Sequence, residues 1–534
     1  MWSDTLVLGQ LVDQLWFEHF PDEDSSKRSG PKPMAPLKVH LKVLLIDLYV
    51  SWCSDPNMYL GVSMSKSGWK SNSRYNSRNL SFQMVKVIKR LELVGIIDLH
   101  TGQQGTLTRI RASEKLQLLF YNLKLPISEV SFDEKREAVI LRDKATEPDD
   151  DDISKASKNK KKPALEYEDT PETERMRRVL TKYNELLNKT YLDVCSLEEP
   201  YFERVEEQKG EKDKIVRHYI TGQNHFVRRV FNNGSWERGG RFYGGWWQQM
   251  NKELRSDIII NGEPVIEIDF TAMHVSLLQA KVNEKPRPNL TKIKEKKAKK
   301  VLSPAEMLAI TPDVNIRKPL DAQNDPYTLK KSVFPNKIGF DQRKAVKQLV
   351  LMAINANSRE SAFLAFRKKQ AHGDPLKKLK NNELSQLLEA FIDKNPTLEP
   401  FLGTGKGLEL MYLDSRIAEI IIEQLTDKNI PVLCIHDSFI VAFKESKELQ
   451  RAMKRASQKI LGVSIELDIL SIKLSDFNTG ECRPLLPYVV TKDNNTCKGY
   501  LDRKRALNPP LPSVDIIPRH APGCHNLNKN DGAT

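Results

Sequence analysis

Two aspartates interrupt apolar stretches that are typical of buried β-strands. Asp269 ends the run VIEID, and Asp437 follows the run LCIH. A carboxylate in apolar surroundings is costly, and two carboxylates brought together repel one another, so such a pair needs a cation. Mg²⁺ prefers oxygen ligands, and paired Mg²⁺ ions serve phosphoryl transfer. The pair therefore points to metal-assisted chemistry on phosphates, although either aspartate alone is more often a turn residue.

A basic helical pattern lies between the two aspartates, in DQRKAVKQLVLMAINAN at 341–357. Asp341 is the predicted N-cap. Four residues follow at steps of four, which places them along one helix face: Arg343, Lys347, Leu351 and Asn355. Two cations one turn apart suit a triphosphate, because charge-assisted bonds to phosphate oxygens are strong. The last two residues would continue that face toward the sugar and base. An ordinary solvated basic helix is the alternative interpretation.

Three segments, in this order, resemble the palm and fingers motifs of one enzyme superfamily, the family A DNA polymerases and single-subunit phage-type RNA polymerases. VIEIDFTAMHVSLL resembles the first palm motif, RKAVKQLVLMAINA the fingers helix, and IHDSFIV the second palm motif. The helical pattern LELMYLDSRIAEIIIEQL occurs where this superfamily has a helix before the last motif. The resemblance covers about 225–475, and its specificity comes from the ordered trio.

The resemblance implies an α+β fold of the right-hand polymerase type, with an antiparallel palm sheet and helical fingers and thumb. It implies that Asp269 and Asp437 hold two Mg²⁺ ions, with the carbonyl of Phe270 as a further ligand. The ions would activate a primer 3′-OH and neutralise the pyrophosphate leaving group. Arg343 and Lys347 match the residues that hold the incoming nucleoside triphosphate.

Some other positions match this superfamily, and some depart from it. Gly239-Gly240-Arg241 is similar to the Gly-Arg element that contacts the template–product duplex. Family A DNA polymerases have Glu where this chain has His274, and Tyr where it has Asn355. Bulky His274 would exclude a ribose 2′-OH, which favours a DNA polymerase, whereas the His-Asp-Ser sequence resembles phage-type RNA polymerases.

An N-terminal stretch at 36–120 combines two helical patterns with a hairpin pattern. This order resembles a winged helix-turn-helix domain, which binds duplex DNA. The basic residues predicted to contact DNA lie off the apolar face of the second helix or on the wing: Lys86, Lys89, Arg90, Arg109 and Arg111. A small interaction module with a solvated basic surface is the alternative.

Composition divides the chain into four parts. A charged segment with little to bury, EPDDDDISKASKNKKKP, indicates a disordered linker. We expect a winged-helix-like domain at 1–140, the linker at 141–168, a polymerase-like region at 169–480 and a mostly disordered basic tail at 481–534. Within the third part, the palm would comprise about 230–280 and 405–475, and the fingers about 281–400, including a basic insertion that ends TKIKEKKAKK.

The overall composition limits the class of protein. The chain has 534 residues and a formal net charge of +14, which favours a polyanionic partner. No apolar run is long enough to span a membrane, and six scattered cysteines without a CxxC motif indicate a reduced cytoplasmic protein. The irregular spacing of the C-terminal Cys and His residues argues against a zinc site.

The sequence thus predicts a template-directed nucleotidyltransferase from a mobile element or phage-like source, favouring a DNA-directed DNA polymerase without proofreading. Its partners would be nucleoside triphosphates and a DNA primer–template or promoter duplex. A single-subunit DNA-directed RNA polymerase is the first alternative. A non-catalytic replication initiator or regulator on a polymerase-like fold is the second. Primer requirement, template type and oligomeric state stay open.

Overall fold

Helices and mainly antiparallel sheets make up the fold, which confirms the α+β class. The structure is a computed structural model and describes residues 1–21, 36–69, 72–103, 107–143, 163–206, 214–220, 225–282, 325–329, 331–334, 341–371, 373–469 and 496–507. Of the helices in these ranges, none is long and apolar enough to cross a membrane.

The N-terminal region packs its helices against a small antiparallel sheet. Its elements are α1 (Leu6–His19), α2 (Leu37–Ser54), β1 (Leu60–Val62), α3 (Gln83–Leu93), β2 (Ile97–His100), β3 (Thr108–Ala112) and α4 (Glu114–Leu123). The strand order is β1-β3-β2, and α3 directly precedes the β2–β3 hairpin. The predicted apolar face of α3 is buried, because Val85, Ile88 and Leu91 recur at helical spacing.

The apolar interior changes from one cluster to another between Val130 and Phe132. Strand β4 (Val139–Leu141) already belongs to the second cluster. Of the predicted linker, 144–162 lies outside the described residues. At its two ends, 141–143 and 163–168, the prediction of disorder is wrong, because apolar side chains there pack against the core. The Leu165 N–H donates to the Leu141 carbonyl at 2.8 Å, and the Tyr167 hydroxyl donates to the Val139 carbonyl at 3.0 Å.

The second region begins with a long helix, a β-ribbon and a three-stranded sheet. Its first elements are α5 (Pro171–Asn188), β5 (Leu192–Val194), β6 (Tyr201–Glu206), β7 (Lys214–Tyr219), β8 (Arg228–Asn232) and β9 (Ser235–Tyr243). Strands β6 and β7 pair with each other, and the sheet has the order β4-β8-β9, with β4 parallel to β8. A bulge at Gly240 shifts the register of β9.

A central sheet joins the two chain regions predicted to form the palm. Its elements are α6 (Lys252–Arg255), β10 (Ile258–Ile260), β11 (Glu263–Phe270), α7 (Met273–Val282), α11 (Gly407–Asp427), β12 (Leu433–Ile435), β13 (Ser438–Ala442), α12 (Ser446–Leu461) and β14 (Leu467–Ile469). The strand order is β12-β13-β11-β10-β5, with β14 also pairing with β11. An Asn261-Gly262 turn with φ of 51° and 83° connects β10 to β11, as such turns favour these residues.

Between the two halves of that sheet, the described residues of the chain form three α-helices. They are α8 (Gln342–Asn355), α9 (Arg359–Lys369) and α10 (Asn381–Lys394). The predicted N-cap of α8 is confirmed, because the Asp341 side chain accepts from the Lys344 N–H at 2.9 Å. The predicted basic insertion lies outside the described residues.

The tail predicted to be mostly disordered contains an ordered segment at 496–507, whereas 481–495 and 508–534 lie outside the described residues. Helix α13 (Lys498–Leu507) packs beside β5. Tyr500 is buried, and the Arg503 guanidinium forms hydrogen bonds of 2.8 and 3.0 Å with the Asp193 carboxylate. This contact between distant segments orders a stretch whose local composition is polar.

Candidate active site

The two predicted carboxylates converge where two adjacent inner strands of the central sheet, β11 and β13, meet end to start. Asp269 lies at the end of β11 and is paired in register with Ser438 of β13. Asp437 occupies the tight β12–β13 turn, and its carbonyl accepts from the Phe270 N–H at 3.3 Å. His436 turns the chain there with φ of 59°, a left-handed conformation that is uncommon for a residue other than Gly. The antiparallel pairing thus brings together two residues from separate motifs.

The charge on Asp269 is poorly compensated. Burial first, then repulsion from Asp437 and Glu267, raises the pKa of Asp269 to about 8. Its Oδ1 atom is buried and has no hydrogen-bond partner among the described residues. An orphaned carboxylate oxygen beside a second carboxylate fits a divalent cation, which prefers such ligands. Among the described residues, no group of three or more His, Cys, Asp or Glu side chains is arranged to hold a metal.

Two further carboxylates lie on the same strands, and sequence analysis missed both. Glu267 precedes Asp269 by two positions and therefore shares its sheet face. It is neutralised by Arg255, at 2.8 and 3.0 Å, and accepts from the Ser438 hydroxyl at 2.8 Å. Exposed Asp468 on β14 is the register partner of Asp269. The alternating acids in VIEID were the available sequence pattern for Glu267.

Arg241 contacts protein groups beside this pair. Its Nε atom donates to Asp414 Oδ1 and Oδ2 at 3.1 and 3.0 Å, and Asp414 is buried on α11. Burial opposes the charge of Arg241, but Asp414 and then Asp437 outweigh it and raise the pKa of the guanidinium. Arg241 therefore forms a bridge from α11 toward Asp437. Its Nε and Nη2 atoms are thus engaged within the protein, and the contact of Arg241 with a nucleic acid duplex stays a prediction.

His274 completes this cluster. Its Nε2 atom accepts from Arg241 Nη2 at 3.0 Å and lies 3.3 Å from Asp414 Oδ2. Asn355 was expected beside His274, yet its side chain reaches the start of α11 instead. A Cβ added to Gly407 would lie 1.8 Å from Asn355 Oδ1, and Asp414 is about 10 Å further along that helix.

The two predicted triphosphate ligands lie at the start of α8. Lys347 is exposed, and its charge lowers the pKa of Asp269, so it acts on the carboxylate pair. Arg343 is also exposed, and its Nε atom lies 2.5 Å from Asp325 Oδ2. Sequence analysis missed Asp325, because nothing in its local pattern marks it. Leu351, one turn beyond Lys347, is half-buried.

The aromatic pair near Arg241 belongs to the core. Trp246 and Trp247 are buried, and Trp247 Nε1 donates to the Cys434 carbonyl at 3.1 Å. Both rings are therefore packing residues of the core. Their burial fixes the end of β9 against the strand that leads to Asp437.

The predicted DNA-contacting residues of the N-terminal region divide into two groups. Lys86, Lys89 and Arg109 are exposed. Arg90 and Arg111 make protein contacts instead. Arg90 Nε donates to the His19 carbonyl at 2.7 Å, and Arg111 Nε lies 2.9 Å from Asp98 Oδ2. A change at these two arginines would therefore perturb the fold as well as any bound DNA.

No protein-family model matches this chain, and no curated protein sequence matches it significantly. Function must therefore be argued from the geometry of the site itself.

Proposed function

We propose that the protein is a template-directed nucleotidyltransferase with a right-hand polymerase fold and an N-terminal DNA-binding winged-helix module. The convergence of Asp269 and Asp437 at the end of paired strands is the observation that carries this proposal. Their mutual repulsion calls for cations, as two-metal phosphoryl transfer requires. The cationic start of α8 supports the same function, because Lys347 acts electrostatically on Asp269.

Each group would have a defined part in nucleotide addition. Asp269 and Asp437, with the Phe270 carbonyl, would hold two Mg²⁺ ions, which supply charge neutralisation and acidify a primer 3′-OH when bound. Lys347 and Arg343 would bind the triphosphate oxygens and orient them by charge-assisted hydrogen bonds. Positioning in this way is the main protein contribution to phosphoryl transfer.

The N-terminal region supports a DNA-directed enzyme. A helix followed by a hairpin, with a third strand at the edge, is the arrangement of a winged helix-turn-helix domain. Exposed Lys86 and Lys89 on α3 and Arg109 on the hairpin supply positive charge where duplex DNA would bind.

The sugar preference has two candidates. A DNA polymerase is favoured if His274 crowds the ribose 2′-OH. Its ring, however, is held by Arg241 and Asp414, which weakens that argument and keeps an RNA polymerase as the second candidate. The ratio of kcat/KM for dATP and ATP separates them. A clear preference for ATP would exclude the DNA polymerase.

The first prediction tests the carboxylate pair. Asp269→Asn and Asp437→Asn should each reduce extension of a labelled primer–template with Mg²⁺ by roughly 1000-fold, because several kcal/mol of charge stabilisation is lost. The measurement is single-turnover extension with dNTPs or rNTPs supplied separately. Asp393→Asn, which changes an exposed carboxylate on α10, is the matched control. Near-normal extension by either active-site variant would refute the proposal.

A further inference from the structure

One face of the β4–β8–β9 sheet carries arginines that the proposed active site does not use. Side chains alternate along a strand, and registered partners share a face. Arg228 is paired with Tyr243 of β9, and the parallel register Ile140 to Val230 places Arg142, two positions further along β4, on that same face. Arg136 lies just before β4, where its guanidinium packs 4.2 Å from the Phe226 ring. We call Arg136, Arg142, Arg228 and Tyr243 the arginine face.

The cations of the arginine face lack acidic partners. In the part of the chain that the structure describes, none of Arg136, Arg142 and Arg228 forms an ion pair. The neighbouring Arg229 points to the opposite side of the sheet, where its guanidinium lies 2.6 Å from Glu419 and donates to the Gly240 carbonyl at 2.8 Å. Arg229 therefore has a buried acidic partner, whereas the three arginines of the arginine face have no ion pair among the described residues.

These arginines also repel one another in half-buried positions. Burial first, and then the charge of Arg228, lowers the pKa of Arg136 to about 10. Asp47 and Asp133 oppose this shift, but both carboxylates lie beyond ion-pair distance from Arg136. Burial and then Arg142 lower the pKa of Arg228. A bound polyanion reduces the repulsion between like charges held together in this way, and a row of phosphates matches a row of guanidinium groups.

The arginine face runs from the N-terminal region to the carboxylate pair. At one end, the Tyr243 ring contacts the His436 ring edge-on at 5.3 Å between centroids, next to Asp437. At the other end, Arg136 also lies over Phe132, where the interior of the second region begins. A backbone bound along this face would therefore reach both the proposed DNA-binding module and the site of nucleotide addition.

We propose that the arginine face binds the phosphate backbone of duplex DNA next to the carboxylate pair. This inference rests on the proposed function for the identity of the partner, and it gives the duplex contact to Arg142 and Arg228 rather than to Arg241. Tyr243, which is 38% exposed, lies between these cations and His436 and borders the bound backbone.

The test measures equilibrium binding of a fluorescent primer–template duplex to the full chain, without Mg²⁺ or nucleotides, over a series of KCl concentrations. Arg142→Gln/Arg228→Gln should weaken binding about tenfold and reduce the salt slope by about 2, since each phosphate contact contributes roughly 0.9. Lys454→Gln/Arg455→Gln, which removes two exposed cations from α12, is the control of equal charge and should change neither value.

The N-terminal module would also bind the duplex. The arginine-face double variant and its control double variant are therefore each measured in the wild-type chain and in a Lys86→Glu/Lys89→Glu background. If the double variant loses its thermal transition, Arg142→Gln alone should give half of the slope change. Unchanged affinity and slope in both backgrounds would overturn the inference. Failure of nucleotide addition with arginine-dependent binding intact would instead overturn the proposed function.

Discussion

At the scale of single residues, Arg343 shows how a predicted ligand is held before any nucleotide binds. Its carboxylate partner is fixed by two local hydrogen bonds, because Asp325 accepts from the Thr328 hydroxyl at 2.6 Å and from the Tyr327 N–H at 3.2 Å. Lys394 of α10 donates to the carbonyls of Asp325 and Thr328, both at 2.6 Å. Asp325 is therefore preorganised to compete with a triphosphate for Arg343.

The prediction at this scale is that Asp325→Asn lowers the KM for the nucleotide about two- to fivefold. The range follows from the modest strength of an exposed ion pair, which a phosphate would otherwise have to replace. Steady-state extension at saturating primer–template measures the effect, and Asp393→Asn on α10 serves as the control. An unchanged or higher KM would mean that Asp325 orients Arg343 for the triphosphate instead of competing with it.

At the scale of elements, one buried glutamate ties three elements together. Glu419 of α11 lies 2.6 Å from Arg229 of β8 and 2.9 Å from Arg175 of α5, and Arg416 is 3.6 Å away. Arg229 Nη2 also donates to the Ser415 hydroxyl at 3.3 Å. Because Arg229 and Glu419 are both almost fully buried, each charge depends on the other.

We expect Glu419→Gln to lower the free energy of unfolding by about 3–5 kcal/mol, because it leaves the Arg229 charge buried without a counter-ion. Urea unfolding followed by tryptophan fluorescence measures the loss. Glu423→Gln, one turn further along α11 and half-buried, should cost less than about 1 kcal/mol. Equal losses in the two variants would show that the network adds no specific stability.

The local elements of the site could be predicted from sequence, whereas their long-range partners could not. The apolar runs around Asp269 and Asp437 and the helical spacing of α8 depend on neighbouring residues, and the structure has these strands and this helix. The Arg241–Asp414 bridge and the parallel pairing of β4 with β8 join segments far apart in sequence. No local periodicity encodes such contacts, so they emerge only when the elements pack.

At the scale of the whole molecule, the apolar cluster of the N-terminal region lies next to that of the second region, and few elements contribute to both. The N-terminal interior is closed by its own contacts, since the Trp2 N–H donates to the Ser131 carbonyl at 2.9 Å and Arg78 Nε lies 2.7 Å from Asp133 Oδ2. β4, in contrast, pairs with β8 of the second region. A boundary just before β4 therefore separates the regions better than the predicted boundary at 140.

This boundary leads to a prediction about the isolated N-terminal region. Residues 1–137 should fold alone, because they retain one complete apolar cluster together with the Arg78–Asp133 ion pair. The fragment should bind duplex DNA with a steep salt dependence, since lysine and arginine contacts release counterions. Far-UV circular dichroism tests folding, and fluorescence anisotropy over a series of salt concentrations tests binding.

The binding surface within this fragment is tested by charge reversal at the three exposed cations that are predicted to contact DNA, Lys86, Lys89 and Arg109. The triple variant should reduce the salt slope by about 2–3 while the melting temperature stays unchanged, because none of these side chains is buried. Reversal of exposed Lys115 and Lys135 is the control and should leave the slope nearly intact. If the folded fragment shows no affinity for DNA even at low salt, α3 and the wing form a protein-docking surface instead. The arginine face would then carry the duplex contact without help from the N-terminal region.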